Sequence, residues 1–545
     1  MSDVAWEAPA PGSWELDLAH CLGSMTPIVQ QLQGEGFTNG MRELFATYGM
    51  PADTIDARFV NGFFYTRLRP LIGANRAATR LPPKPILKLA FALHPELRRR
   101  RRRAERALVE RPWRDVIQRW NDHERAELEG ENLALQDIDV GSLDEAGLAR
   151  HFEEVLAAAT RGYHRHFVLH GYDLGPIGLL LIRCEEWGIA GREVLPALLG
   201  ASPSTSEPAR ILARLRGDIK RAGVRPASLE EVRAISPDIA EEVDRYLRFR
   251  GMRVFSRYDL DGVTVGELPE VVLATILSGA EEASTDEAEL AAAAVRQRVP
   301  LDERSEFDDL LTEARFAMNL RDDNGPTTAE WRLGLLRRAL LEVGRRLVST
   351  GRAERAEDAF ELDAKEVESL LVKGEGPTRQ ELSRRAELRR QLGRLTPPAR
   401  LGPVEVDPPL DVLPAAQAKL LKAVRTVMTL LARTETDDGL SGTGIGTDTY
   451  RGPVRRAGTP EEAIRSIEPG DVLVVPFTTP AYNAVLPLAG ALVTSQGGPL
   501  CHAAVLAREL GIPAVVGVAD ALDRLEDGAE VEVDPIEGQV RLAAP

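Results

Sequence analysis

The chain has 545 residues, 43% apolar and 28% charged, which is material for roughly two to four domains with proper hydrophobic cores. Lys and Arg number 68 against 84 Asp and Glu, a formal charge of −16. That acidity excludes nucleic acid as a bulk partner, because binding a phosphate backbone first requires a basic footprint.

Cys21, Cys184 and Cys501 are far apart and form no CxxC pair, which fits a reducing cytosol rather than a disulfide framework. The start, Met1-Ser2-Asp3, lacks the basic and apolar regions of a signal peptide. The longest apolar stretch, around Ile177 to Ile182, is far too short to cross a bilayer. The expectation is a cytoplasmic protein with no membrane partner.

Residues 1–395 read as a large, mainly α-helical domain. Apolar residues recur at three- and four-residue steps through Leu148 to Ala158, Leu229 to Phe249, Glu270 to Ile276 and Ala364 to Val372. The segment Trp331 to Leu347 is clearest, with Leu336, Leu340, Val343 and Leu347 on one stripe and Arg332, Arg337, Arg338, Arg345 and Arg346 in the other positions. Asp302, Thr327 and Thr378 stand where helix N-caps are expected. Alternating, strand-like patterns are scarce.

Several groups in this region carry potential chemistry. Phe63, Phe64 and Tyr65 read as core packing ahead of a planar-substrate contact. The run Arg98 to Arg103 reads as the solvated end of a helix. His166 and His170, at i and i+4, share a helix face, with His164 and Asp173 nearby. Spacing fixes no third metal ligand, so no metal is assigned. The bland reading is a polar helix end; the functional one is an acceptor pocket in which a neutral histidine serves as base. Arg321-Asp-Asp323 reads as an exposed turn, or as a contact for phosphate or Mg²⁺. His166, His170 and Arg321 are the candidate substrate contacts.

Composition changes at Thr396-Pro397-Pro398. Six prolines fall between there and Pro414, which predicts an extended linker, followed by a helix over Ala415 to Arg433. Residues 396–436 are therefore the expected linker and helix. Residues 437–545 look different. After a glycine-bearing loop to Thr449, Asp471 to Pro476, Gly490 to Thr494, Ile512 to Gly517, Gly528 to Val533 and Gly538 to Leu542 read as short strands. A helix over His502 to Leu510 interrupts them, with Gly511 an apt residue to end it. This is a small β/α domain.

Gly497-Gly-Pro-Leu-Cys-His502 has its own logic. Two glycines let the backbone turn sharply and approach a ligand closely. The helix that follows opens at the histidine, and its first amides lack internal partners and favour negative charge. A neutral imidazole there can attack a phosphorus atom, and the same amides would stabilise the phosphohistidine.

The stretch Thr494-Ser-Gln-Gly-Gly-Pro-Leu-Cys-His-Ala-Ala-Val-Leu-Ala-Arg-Glu-Leu-Gly-Ile-Pro-Ala-Val-Val-Gly517 resembles the signature of the swivelling phosphohistidine domain of PEP-utilising enzymes. That domain occurs in phosphoenolpyruvate synthases, pyruvate phosphate dikinases and rifampicin phosphotransferases. Pro469-Gly-Asp-Val-Leu-Val474, Asp527-Gly and Asp534-Pro-Ile-Glu-Gly538 extend the match. The resemblance implies that His502 is transiently phosphorylated, that Gly497, Gly498 and Cys501 shape its loop, and that Arg508 supports the phosphate or the loop, or makes a structural ion pair. It departs at Leu500, where the dikinases have a regulatory threonine, and at Pro499.

Such enzymes load the histidine from an ATP-grasp domain. The helical region shows neither the strands nor the glycine-rich loop of a nucleotide site, nor a Walker-type GxxxxGK[ST], and the expectation is a protein without the phosphoenolpyruvate barrel. Shorter stretches, Trp14-Glu-Leu-Asp17 with His20, Tyr258-Asp-Leu-Asp261, Gly266-Glu-Leu-Pro269, Arg321-Asp-Asp323 and Gly344-Arg-Arg346, resemble the substrate-side region of rifampicin phosphotransferase-like proteins. The implied protein is the acceptor half of a split phosphotransferase, similar in layout to phenylphosphate synthase. A separate ATP-grasp partner would supply the phosphoryl group from ATP and Mg²⁺, and the acceptor would be a small-molecule hydroxyl or carboxyl. The competing reading is a non-catalytic scaffold or regulatory module that kept the motif.

Overall fold

The computed structural model describes residues 4–17, 21, 23–198, 202–254, 257–278, 285–431, 440–478, 482, 485–499 and 501–542. They form two compact units, each assembled from three chain segments: 1–173, 252–263 and 323–421 in the first, 174–251, 264–322 and 422–545 in the second.

The first unit holds a four-stranded antiparallel sheet that the helical periodicity did not announce. Its strands are β1 (Trp14–Leu16), β2 (Ala52–Val60), β3 (Phe63–Pro70) and β4 (Arg400–Leu401), in the order β2-β3-β1-β4. β2 and β3 are joined by Asn61-Gly62, with φ of 53° and 80°. Positive φ at both turn residues suits a hairpin whose turn follows the twist of its strands, and Asn-Gly supplies it at low steric cost. Phe63, Phe64 and Tyr65 are all buried on β3, and Trp14, Phe63, Tyr65 and Leu401 share one core.

The proline-rich stretch after Thr396 is held rather than free. β4 pairs with β1, Tyr65 donates to Pro398 O at 2.8 Å, and the Glu405 carboxylate accepts from Arg67 Nε at 2.9 Å, Ser13 N at 2.9 Å and Ala78 N at 2.7 Å. These contacts leave little of its first half available as a loose hinge.

The helix expected from Trp331 forms over Trp331–Ser349, but its arginines do not all face water. Arg332 and Arg337 are buried. Arg332 donates to Asn132 Oδ1 at 3.0 Å and Ala158 O at 2.5 Å and pairs with Glu131. Arg337 donates to Leu260 O at 2.7 Å. A guanidinium's fork of donors lets it be buried where carbonyls converge on it. The N-cap expectations divide in the same way. Thr378 caps Arg379–Leu392 by accepting from Glu381 N. Asp302 lies just outside the helix that begins at Arg304, and Thr327 is buried inside a π-helical turn, Pro326–Glu330.

Helices Pro203–Ala222, Leu229–Arg233, Pro237–Arg250 and Pro269–Ser278 of the second unit pack around Leu215, Ile219, Val232, Val243 and Ile276. The same unit contains a seven-stranded sheet. Its strands are β5 (Thr443–Ile445), β6 (Tyr450–Arg456), β7 (Val472–Val475), β8 (Ala491–Thr494), β9 (Ala514–Val516), β10 (Glu530–Asp534) and β11 (Gln539–Leu542), in the order β11-β10-β6-β7-β8-β9-β5. β6 to β9 run parallel; β5 pairs antiparallel with β9, β10 antiparallel with β6, and β11 antiparallel with β10. Leu473, Val475 and Leu492 enter one core, and Val472, Val474 and Val493 enter the other. Burial on both faces explains why β7 and β8 read as unbroken apolar runs. The helix His502–Leu510 covers the first face through Ala503, Ala504 and Ala507 and ends at Gly511, φ 64°.

One helix among the described residues, Glu145–Glu186, is long and apolar enough by composition to cross a membrane, a feature the apolar-run reading passed over. Its apolar window is 83% buried inside the fold, which makes it a core helix here.

Candidate functional site

His502 is the first residue of its helix, and Cys501 is the extended residue before it. β8 ends at Thr494, and the chain then turns through Gly497, at φ 113°. A side chain at Gly497 would meet Cys501 Sγ at 2.6 Å and stand in a backbone region that L-residues avoid. Thr494 Oγ1 donates to Gln496 O at 2.7 Å, and Cys501 N donates to Gly498 O at 3.0 Å. Arg508, two turns along the helix, reaches back and donates to Pro499 O at 2.6 Å. The loop is thus pinned at both ends. Leu500 lies outside the described residues.

His502 is partly exposed as a residue. Its Nδ1 lies 2.9 Å from Thr478 Oγ1. Thr478 is itself buried, on the segment following β7. β7 and β8 are adjacent and parallel, so the threonine and the histidine loop leave the same, carboxyl-terminal edge of the sheet. That edge is where open parallel sheets place their ligands. The sequence reading missed Thr478, and the available signal was its position directly after a buried strand. Burial holds the His502 imidazole down at about 4, so the ring is neutral at neutral pH. Burial raises the neighbouring Cys501 thiol, which keeps it un-ionised beside the histidine.

Residues 467–538 match the PEP-utilising enzyme, mobile domain. The C-terminal part of the chain carries a PEP-utilising enzyme mobile domain. The chain is similar to phosphoenolpyruvate synthase of Escherichia coli, 50% identical over 97 residues, 18% of this chain and 12% of the relative. It is also similar to the uncharacterized phosphotransferase YvkC of Bacillus subtilis, 31% identical over 243 residues, 44% of this chain and 28% of that one. Chondramide synthase cmdD of Chondromyces crocatus aligns over 99% of this chain at 28% identity, covering 14% of its own length. The chain therefore spans well under half of each of these relatives. Within the mobile domain the matched stretch holds β7, β8, Thr478, the glycine turn and His502.

The other residues singled out from the sequence lie elsewhere. His166 and His170 sit in the first unit, on the helix Glu145–Glu186, with Nε2 atoms 3.1 Å apart. His164 Nε2 lies 3.0 Å from Glu43 Oε2. Asp173 is buried. Arg321-Asp-Asp323 is not a turn: it belongs to the helix Arg304–Gly325, where Asp323 is buried and pairs with Arg125 at 2.9 Å. Arg321 belongs to the second unit by its contacts, so the two histidines and Arg321 do not form one cluster within either unit. Among the described residues no three His, Cys, Asp or Glu side chains stand together as a metal site.

Proposed function

We propose that this chain is a phosphotransferase component that carries a phosphoryl group on His502 and passes it to a small-molecule acceptor. The observation that carries the reading is the 2.9 Å contact between Thr478 Oγ1 and His502 Nδ1. With Nδ1–H donating to the threonine, the ring presents Nε2 as the nucleophile. The donor's P–O bond breaks as Nε2 bonds phosphorus, and the Nδ1 proton stays on the ring, held by Thr478. Amides of the first helical turn would bear on the new phosphate charge. In the second step, acceptor oxygen displaces Nε2 and the electron pair returns to the ring. Positioning and charge stabilisation would account for most of the rate.

The loading partner in this reading is a separate ATP-grasp protein that uses ATP and Mg²⁺; this chain assigns no residue of its own to either. Movement of the mobile domain between donor and acceptor completes the relay. The acceptor sits on the helical part of the chain, with His166 and His170 as its contacts. Arg321 is the third contact in this reading.

Incubation of the full chain with radiolabelled ATP and a candidate ATP-grasp protein tests the relay. Acid-labile, base-stable label on His502, absent from His502→Ala, is the expected result. Label unchanged in His502→Ala would sink it and leave the scaffold reading in place. Self-labelling without the partner would overturn the split arrangement alone.

A further inference from the structure

Lys84–Leu93 and Pro95–Glu110 are consecutive helices of the first unit, joined by His94 alone. Pro95 sets the break: its ring disfavours helical backbone at the residue before it, and His94 is extended, at φ −64° and ψ 125°. The first helix turns Ala90 and Phe91 into a core shared with Leu71, Leu97 and Leu413. The second buries Leu97, Arg100, Ala104 and Ala107. Each helix is therefore anchored along one face, and the two leave different chemistry outside.

Along the first helix, Ile86, Leu89 and Leu93 fall at i, i+3 and i+7, which is one stripe. They are 55%, 56% and 62% exposed. Single exposed apolar residues are ordinary, whereas a stripe of them marks a contact surface. Along the second helix, Arg98, Arg102 and Arg106 are exposed on successive turns and form no ion pair among the described residues. Their neighbours are engaged. Arg99 and Arg100 pair with Glu96, Arg101 with Glu105, and Arg103 donates to Ala46 O at 3.1 Å. The run Arg98 to Arg103 is thus helix interior and not a helix end.

Charge decides what such a surface meets. Between Lys84 and Arg106 stand nine basic side chains and two acidic ones, in a chain of formal charge −16. An anionic surface attracts this stretch and repels the rest of the chain, so the field orients the molecule with these helices toward it. Arginine's planar fork matches the oxygens of a phosphate two at a time. The apolar stripe stands out from the helix, the form that enters the boundary between lipid headgroups and acyl chains. A merely acidic polypeptide would satisfy the arginines and leave that stripe in water.

We propose that these two helices dock the chain on an anionic phospholipid surface, with Ile86, Leu89 and Leu93 at the headgroup–acyl boundary and Arg98, Arg102 and Arg106 on lipid phosphates. Docking of this kind needs no spanning segment. The expectation of no membrane partner came from the length of apolar runs and does not bear on it. The proposal is independent of the phosphoryl relay.

Co-sedimentation of the full chain with vesicles tests it. Vesicles of phosphatidylcholine and phosphatidylglycerol in equal parts should carry the chain down, vesicles of phosphatidylcholine alone should not, and added salt should release it. Arg98→Gln, Arg102→Gln and Arg106→Gln together should weaken binding about 100-fold, at roughly fivefold for each charge removed. Ile86→Ser, Leu89→Ser and Leu93→Ser together should weaken it about tenfold or more. All six side chains lie at the surface, so both variants should keep the wild-type unfolding midpoint. Leu301→Ser, at an exposed apolar residue of the second unit, should bind as wild type does. Equal binding to the two kinds of vesicle, binding to neither, or wild-type binding by either triple variant would overturn the proposal. A chain that ignores vesicles but dimerises through Ile86, Leu89 and Leu93 would overturn it in favour of a second copy. One that ignores vesicles but binds poly-glutamate through the arginines would overturn it in favour of an acidic protein.

Discussion

Thr478 Oγ1 and His502 Nδ1 meet at 2.9 Å although 24 positions separate them in the chain. The contact brings the end of one parallel strand to the start of the helix that follows the next, and it selects one ring nitrogen. Thr478→Val keeps the shape and removes the acceptor. With a net hydrogen-bond contribution of about 1 kcal/mol, the rate of His502 labelling should fall about fivefold or more, while the unfolding midpoint changes little. Thr478→Ser should retain most of the rate. Equal labelling in Thr478→Val and wild type would show that the threonine does not orient the ring.

The same histidine gives a pH signature. Burial lowers its value to about 4, against about 6.5 in an unfolded chain. Between those values the unfolded chain binds a proton that the native chain refuses. The histidine's contribution therefore strengthens as pH rises through the window and is lost on acidification toward about 4. Urea midpoints measured across that range should rise with pH more steeply in wild type than in His502→Gln. Labelling by phosphoramidate should likewise hold up at pH about 5.5, where free histidine is mostly protonated and slow.

How much of this was legible follows from where partners lie. β7 and β8 could be read directly, because burial on both faces leaves an apolar run that no other element explains as well. The helix from His502 to Gly511 carried both its ends in the sequence. The β2–β3 hairpin was legible in principle from Asn61-Gly62, yet Asp56 and Arg67, both buried, break the alternation that marks a strand. Thr478 offered only its place after a buried strand, since it matters through a histidine that the fold brings to it. The interleaving of the two units is likewise a property of contacts between distant segments.

Arg332 illustrates the energetic side of that limit. Sequence periodicity puts it on a polar face, whereas the structure buries it against Asn132, Ala158 O and Glu131. Arg332→Met leaves buried acceptors without their donor. The expected loss of stability is about 1–3 kcal/mol, the cost of leaving a buried acceptor unsatisfied, since Glu131 keeps its pairing with Arg161. Arg332→Lys should recover only part of it, because an ammonium cannot reproduce the fork. Chemical denaturation of the three proteins checks the order.

Two helical glycines should respond to alanine with opposite signs. Gly130, exposed on the helix Arg125–Gln136, has nothing within 4 Å of an added Cβ. Gly130→Ala should stabilise the chain by about 0.5–1 kcal/mol through helix propensity alone. Gly344, buried in Trp331–Ser349, would place its Cβ 1.9 Å from Ala356 O and 2.6 Å from the carbonyl carbon. Backbone cannot rotate aside as a side chain can, so the helix and the Ala356–Glu361 turn must separate. Overpacking of that kind costs about 1–3 kcal/mol and outweighs the propensity gain. Thermal unfolding should therefore move up for Gly130→Ala and down for Gly344→Ala. A Gly344→Ala protein as stable as Gly130→Ala would mean that the close approach of helix and turn is not present in solution.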